Sequence, residues 1–327
     1  MELENTTSPL SSDASLENVK VRNGELHFTN PETYFDDVKK IMELNEIELD
    51  RWESDVGFKS MRSLINEANE AFGNLTSKDQ IPAWQEKYKN VVSIQDSIII
   101  PHVLGNFYQT ITNLSGEYMV GEMYVKVLPD KLIMIKDGDR SRLSEAMTLE
   151  KTPNDDNIVI KPLMNKEEFI LRSNGNCPNS NGVNNNRKND KRRVYLAFLI
   201  WENSDGYLSE TIVEMEVYGR KKILGTWHVY ATRHHAESVN FEVIDNDGIP
   251  KSLNSDFSFL TPSGYQYQHS FHYFPLGDVT NHYTLTNPVF EKVKGRATTR
   301  GTDKKWVVIC CGDFDCPASE GDSPFST

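Results

Sequence analysis

Residues 193 to 244 constrain the fold more than any other stretch, because they read as four consecutive β-strands. Val194, Leu196, Phe198 and Ile200 alternate with Tyr195, Ala197, Leu199 and Trp201, so both faces of the first strand are apolar. That pattern marks a strand covered on both sides. Thr211 to Tyr218 follows, with Val213, Met215 and Val217 on one face and Glu214 and Glu216 on the other. Trp227, Val229 and Ala231 then alternate with His228, Tyr230 and Thr232, and Val239, Phe241 and Val243 with Asn240 and Glu242. Turn chemistry fills the connections: Asn203-Ser204-Asp205-Gly206, then Gly219 to Gly225, then a short polar loop around His234 and His235. Short links favour antiparallel neighbours, so the stretch predicts a meander.

Helices dominate the chain before it. Asn30-Pro31-Glu32 supplies an N-cap, a proline for the first helical position and an acid in the first turn. Tyr34, Phe35, Val38, Ile41 and Met42 then share one helical face. A second helix starts near Asn45, carries Leu49 and Trp52, and stops before Gly57. A third runs from about Ser60 to Phe72, a short one surrounds Pro82 to Tyr88, and Leu104 to Ile111 is a further candidate. Glu117 to Val120 and Met123 to Val127 read as a hairpin around Gly121-Glu122, and Leu132 to Ile135 as another strand. Residues 173 to 190 are Ser, Asn, Gly, Pro and Lys almost throughout, which is the composition of a linker.

The expected fold class is therefore α+β: amphipathic helices with a small sheet, then a mainly antiparallel β-meander or sandwich. The divisions are residues 1–25 as a tether, 26–150 as the helical unit, 151–190 as a linker region, 191–317 as the β domain and 318–327 as a tail. With 327 residues the chain has room for one large or two ordinary domains.

Charge narrows the partners. The chain carries 35 basic and 48 acidic residues, a net of −13, of which −11 falls in residues 1–150. Affinity for phosphate backbones comes largely from Lys and Arg releasing counterions, so nucleic acid is excluded as a partner. The basic clusters Arg187 to Arg193 and Arg220-Lys221-Lys222 read as solvated strand ends. No apolar run approaches the roughly 18 residues of a membrane-spanning helix.

A set of short motifs in a particular order adds a resemblance. They are Phe35 to Phe58 with Glu48, Trp52 and Gly57-Phe58; Asn113-Leu114-Ser115-Gly116-Glu117; Gly121 and Tyr124; Lys136-Asp137-Gly138-Asp139; Arg192-Arg193-Val194-Tyr195; and Gly225-Thr226-Trp227. Over about residues 25 to 245 the chain resembles an uncharacterised family of exported proteins and lipoproteins of the Bacteroidota. The resemblance implies export to the cell surface or periplasm, and a signal and lipid anchor in a full-length precursor. It supplies no activity and no catalytic residues.

Candidate sites are few. Tyr265, Tyr267, His269, Phe271 and Tyr273 occupy every second position, which on a strand puts five rings on one face. Exposed, such a row would stack on sugar rings; buried, it would be the core face of another strand. His228, His234 and His235 cluster, as do His269, His272 and His282, but strand positions three apart point to opposite faces, so no metal site is expected. Asp245-Asn246-Asp247-Gly248 and Asp137-Gly138-Asp139 read as β-turns, since a calcium loop needs a terminal Glu at its twelfth position. The four cysteines lack a CxxC pair; a disulfide between Cys177 and either Cys311 or Cys316 is open to the chain in an oxidising compartment. No GxSxG, Walker or GxGxxG sequence occurs, and no cofactor is implied. The expected function is a non-enzymatic binding or adhesion module of the cell envelope, for an extracellular glycan or protein. The alternative is an exported hydrolase of glycans or peptides.

Overall fold

A computed structural model describes residues 16–103, 105–153, 157–163, 182–189, 192–204, 209–244, 250–251, 257–260, 268–273, 289–300 and 306–311, with side chains described for 16–103, 105–153, 157–163 and 217–234. The fold is α+β, as expected.

The helices begin where their caps predict. Asn30 accepts a hydrogen bond from the Glu32 amide at 2.9 Å and starts the 3-10 turn Pro31–Thr33, which leads into α1, Tyr34–Glu43. Asn45 and Glu48 form a reciprocal capping box at the start of α2, Glu46–Val56. Gly57, in the left-handed region at φ +71°, ends α2. Ser60 caps α3, Met61–Gly73, and α4 is Ile81–Tyr88. The short α5 is Asn106–Ile111, and α6 is Leu143–Thr148.

Three sheets organise the described residues. The first contains β1, Val19–Arg22; β2, Glu25–Phe28; β5, Glu117–Val120; β6, Met123–Val127; β7, Lys131–Ile135; and β8, Ile158–Pro162, in the order β1-β2-β5-β6-β7-β8. Only β2 and β5 are parallel, because helices α1 to α5 intervene between them; the other neighbours are antiparallel. Alternation splits this sheet into two faces. Leu26, Phe28, Tyr118, Val120, Met123, Val125, Val127, Leu132 and Met134 join the helices in the main core. Tyr124, Ile133, Ile135, Ile158 and Ile160 face the other way and form a smaller cluster with Ala146 of α6.

The second sheet runs β3-β4-β12-β11-β10-β9, where β3 is Val92–Gln95, β4 Ile98–Pro101, β9 Gly182–Asn189, β10 Arg192–Ser204, β11 Ser209–Ile223 and β12 Thr226–Val229. It joins the helical half to the later strands: β12 lies parallel to β4, with the Trp227 amide on the Ser97 carbonyl at 2.7 Å. The third sheet runs β14-β13-β17-β18, where β13 is Arg233–Ile244, β14 Pro250–Lys251, β17 Val289–Arg300 and β18 Trp306–Cys311. Strand β15, Phe257–Leu260, also pairs with β13, and β16, Gln268–Tyr273, pairs with β11. The second and third sheets come together where β17 and β18 pass β9 and β10.

Three expectations need correction. The meander runs β9-β10-β11-β12, gaining β9 before the expected stretch, and the expected fourth strand, β13, leaves for the third sheet and pairs with β17. Residues 19–22, expected within a tether, are the edge strand β1, turned onto β2 by Asn23-Gly24, both at positive φ. Residues 158–162 and 182–189, expected in a linker, are β8 and β9: apolar β8 ladders onto β7, and β9 gains a full ladder from β10, which outweighs its polar composition.

Candidate functional site

The outer face of the first sheet carries a polar cluster that draws side chains from three strands and from the segment after β7. Alternation puts Glu25 and His27 of β2, Glu117 and Met119 of β5, and Tyr124 and Lys126 of β6 on this face, opposite the core positions Leu26, Phe28, Tyr118, Val120, Met123 and Val125. Register sets Glu117 against Lys126 and Met119 against Tyr124. Arg140, from the segment after β7, completes the cluster. Its two terminal nitrogens donate to the two oxygens of Glu25 at 2.7 and 2.5 Å. Its guanidinium lies over the Tyr124 ring at 4.4 Å, and Nη2 also reaches Met119 Sδ at 3.6 Å. Lys126 Nζ donates to Glu117 at 3.0 Å and to the Ser115 carbonyl at 2.6 Å. His27 Nε2 sits 2.7 Å from the Gly121 carbonyl.

Every displaced titration in this cluster moves away from neutrality. Burial alone would raise the Glu117 carboxyl, but hydrogen bonds from Lys126 and Tyr124 outweigh it and hold the group below the usual carboxylate range. Burial, and then the hydrogen bond to Glu117, pushes the Tyr124 hydroxyl up. The Glu25 hydrogen bond raises Arg140 against its partial burial. These shifts keep Glu117 and Arg140 charged and Tyr124 neutral around neutral pH, whereas a general acid or base works best with a pKa near the operating pH.

Acid should therefore weaken the fold. Glu67 on α3 is held at about 2, first by a hydrogen bond from Lys59 and also by Lys87 and Tyr88. Glu117 and Asp139 are also held low, Asp139 chiefly by hydrogen bonds from Ser141. A carboxyl lowered in the folded state contributes stability above its unfolded value of about 4.3, and loses it as pH falls toward the folded value. Melting temperature should drop between about pH 5 and pH 2, and Glu67→Gln should flatten part of that slope. The Glu67 share is small, under about 1 kcal/mol, because the side chain is partly exposed and solvent screens its pairs. An unchanged slope in Glu67→Gln would show that these pairs do not form in solution.

The residues singled out from sequence fall elsewhere. Tyr265 and Tyr267 lie outside the described residues. His269, Phe271 and Tyr273 lie on β16, where the backbone register sets them opposite Val217, Met215 and Val213 of β11. Among the described residues β16 has a strand on one side only, β11, and it lies beside α1. Cys177 and Cys316 lie outside the described residues, and Cys311 pairs by backbone with Gly295. His228 is buried against α3, its ring 5.8 Å from Phe72, and His234 is buried beside Thr232. No group of three or more metal-ligating side chains occurs among the described residues. Asp137-Gly138-Asp139 is a turn in which Asp137 accepts the Asp139 amide. Asp245 to Gly248 and His282 lie outside the described residues.

The outer-face cluster itself was not anticipated. The Glu25/His27 against Leu26/Phe28 alternation would have revealed β2, but nothing local signals that Arg140 reaches Glu25 from 115 positions away. No helix among the described residues is long and apolar enough to cross a membrane.

No family model matches the chain. No curated protein matches it either. Among solved structures, a DUF4848 family protein from Bacteroides thetaiotaomicron aligns with 90% of this chain and 99% of its own at 16% identity, with a TM-score of 0.31. That is a distant likeness to a Bacteroidota protein whose family is known only as a domain of unknown function.

Proposed function

We propose that this chain is a non-enzymatic binding module of the cell envelope that takes an extracellular glycan or protein on the aromatic strand β16. The observation that carries the reading is the place of that strand: β16 pairs along β11 and, among the described residues, has no strand on its other side, with His269, Phe271 and Tyr273 at alternate positions and Tyr265 and Tyr267 continuing the alternation in sequence. Flat rings in a row give broad contact with the C–H faces of sugars at little cost in rotamer entropy. The outer-face cluster supports binding over hydrolysis. Hydrolysis of glycans by paired carboxyls needs one of them protonated. Here Glu25 is committed to Arg140 and Glu117 to Lys126. Envelope placement rests on the resemblance to exported Bacteroidota proteins.

A glycan array and an envelope-protein pull-down, each with wild type and Tyr267→Ala, test the reading. Binding should fall by more than about tenfold in the variant while the melting temperature stays within about 2 °C, the behaviour of an exposed ring. Loss of several kcal/mol of stability would place the row in the core and remove the support for a platform. Turnover of a glycan or peptide that disappears in Glu117→Gln would replace this reading with a hydrolase.

A further inference from the structure

Between β7 and β8 the chain makes an excursion, Asp137–Leu149, over the outer face of the first sheet. It leaves the end of β7, crosses to Arg140, and comes back through α6 to the start of β7. Beneath it lie Ile133, Ile135, Ile158 and Ile160, a cluster separate from the main core. The excursion itself contributes little to that cluster. Ala146 is its one buried side chain, with Leu143 and Leu149 half-buried, and Met147 is exposed.

What holds it is polar and sits at its two ends. At one end Arg140 is forked onto Glu25, three strands away from β7. At the other, Lys131 Nζ donates to the Met147 and Leu149 carbonyls, both at 2.7 Å, and so caps the C-terminus of α6. The strap also touches the β5–β6 turn. Gly138 has φ +68°, and a Cβ there would stand 2.4 Å from the Glu122 carbonyl oxygen. Past Leu149 the chain is tied to β8, where Thr152 Oγ1 bonds both the amide and the carbonyl of Ile160 at 2.9 Å.

We propose that Asp137–Leu149 is a strap that opens as one unit on the folded sheet, latched at one end by Arg140 on Glu25 and at the other by Lys131 on the α6 carbonyls. A segment with few buried contacts and two anchor points opens far more often than the sheet beneath it unfolds. Opening bares the four isoleucines of β7 and β8 while the opposite face of the sheet stays packed on the helices. This device stands on different residues from the β16 platform and is independent of it.

Native-state hydrogen exchange on the whole chain, read over a series of low urea concentrations, tests it. The amides of Arg142, Leu143 and Leu149 are hydrogen-bonded within the strap, to Asp139, Arg140 and Ala146. They should exchange through a single opening with one urea dependence, at least about 100-fold faster than the Val125 amide in β6. Lys131→Met removes one latch and should speed exchange at all three amides by about tenfold, including Arg142 at the far end, because a charged donor on two carbonyls is lost. Gly138→Ala, which forces the strap off the β5–β6 turn, should do the same. Protection equal to that of Val125, or acceleration confined to Leu149 in Lys131→Met, would overturn the proposal.

Discussion

Replacing Phe72 with alanine should destabilise the protein by about 3–5 kcal/mol, the range for emptying an aromatic site that cannot collapse. Phe72 is fully buried in the last turn of α3. The Trp84 ring meets it edge-on at 5.0 Å, and the His228 ring lies at 5.8 Å. Neither neighbour is free to fill the gap. Trp84 is fixed by its indole nitrogen on the Ala68 carbonyl at 2.9 Å. His228 is fixed by β12, whose Val229 amide donates to Asn69 of α3 at 2.9 Å. Gly73 also presses on the imidazole, so close that a Cβ there would meet Cε1 at 3.1 Å. The cavity would open at the contact that ties the helices to the second sheet. Urea denaturation measures the loss, with Ile47→Ala on the exposed side of α2 as a control expected within about 0.5 kcal/mol of wild type. A loss below about 1 kcal/mol for Phe72→Ala would mean that α3 and β12 do not pack this way.

The parts of the fold legible in the sequence are those fixed by local chemistry. Asn30, Asn45, Ser60 and Gly57 mark helix ends because each satisfies backbone groups within a few residues. The β5–β6 hairpin and the β10–β11 hairpin follow from alternation plus a turn. Trp227 is buried, as expected, but the alternation around it does not hold, since His228 and Thr232 are buried as well and α3 packs on β12. The departure of β13 was harder to see, yet it has a local trace. Between Val229 and Arg233 the chain reads Tyr230-Ala231-Thr232, with no Gly, Pro, Asn or Asp to fold it back. Without a turn the backbone continues, and β13 enters the third sheet instead of returning to β12. Strands β1, β8 and β9 were obscured for a different reason. Strand β8 pairs with β7 across the long excursion between them, while β1 and β9 carry polar or charged residues at half or more of their positions, and pairing context outweighs strand propensity.

The outer-face cluster shows the same division. Lys126 beside Glu117 is a cross-strand pair of one hairpin and could be read from its register. Arg140 on Glu25 depends on β2 lying parallel to β5, which only the crossover through the helices creates. The aromatic row of β16 stands between these cases. Its alternation is plain in the sequence, but its neighbour, β11, lies across intervening strands that belong to another sheet.

Arg62 gives the second large effect. It is only 5% exposed on α3, and its Nη2 donates to Glu53 of α2 at 2.8 Å and to Asp50 at 2.7 Å. Burial alone would lower its pKa, but Glu53 and Asp50 outweigh that and hold it charged. Glu53 is 4% exposed and also accepts from Ser60 Oγ at 2.7 Å and, at 3.3 Å, from the Ser60 amide. Ser60 in turn caps α3 through the Ser63 amide, and the next amide, Met61, bonds the Thr112 carbonyl. One carboxylate thus joins two helices to the segment that leads into β5. Arg62→Met keeps the aliphatic stem but leaves Glu53 charged, buried and without its cation, and should cost about 3–5 kcal/mol. Replacing the charge as well, in Arg62→Met with Glu53→Gln, should recover much of that loss, because the neutral amide can still accept from Ser60 while no buried charge remains. The cycle formed with Glu53→Gln alone should give a coupling of about 2 kcal/mol or more between the pair. If the double variant is instead as unstable as the sum of the two singles, the guanidinium contributes by packing, and the carboxylate of Glu53 is stabilised by Ser60 alone.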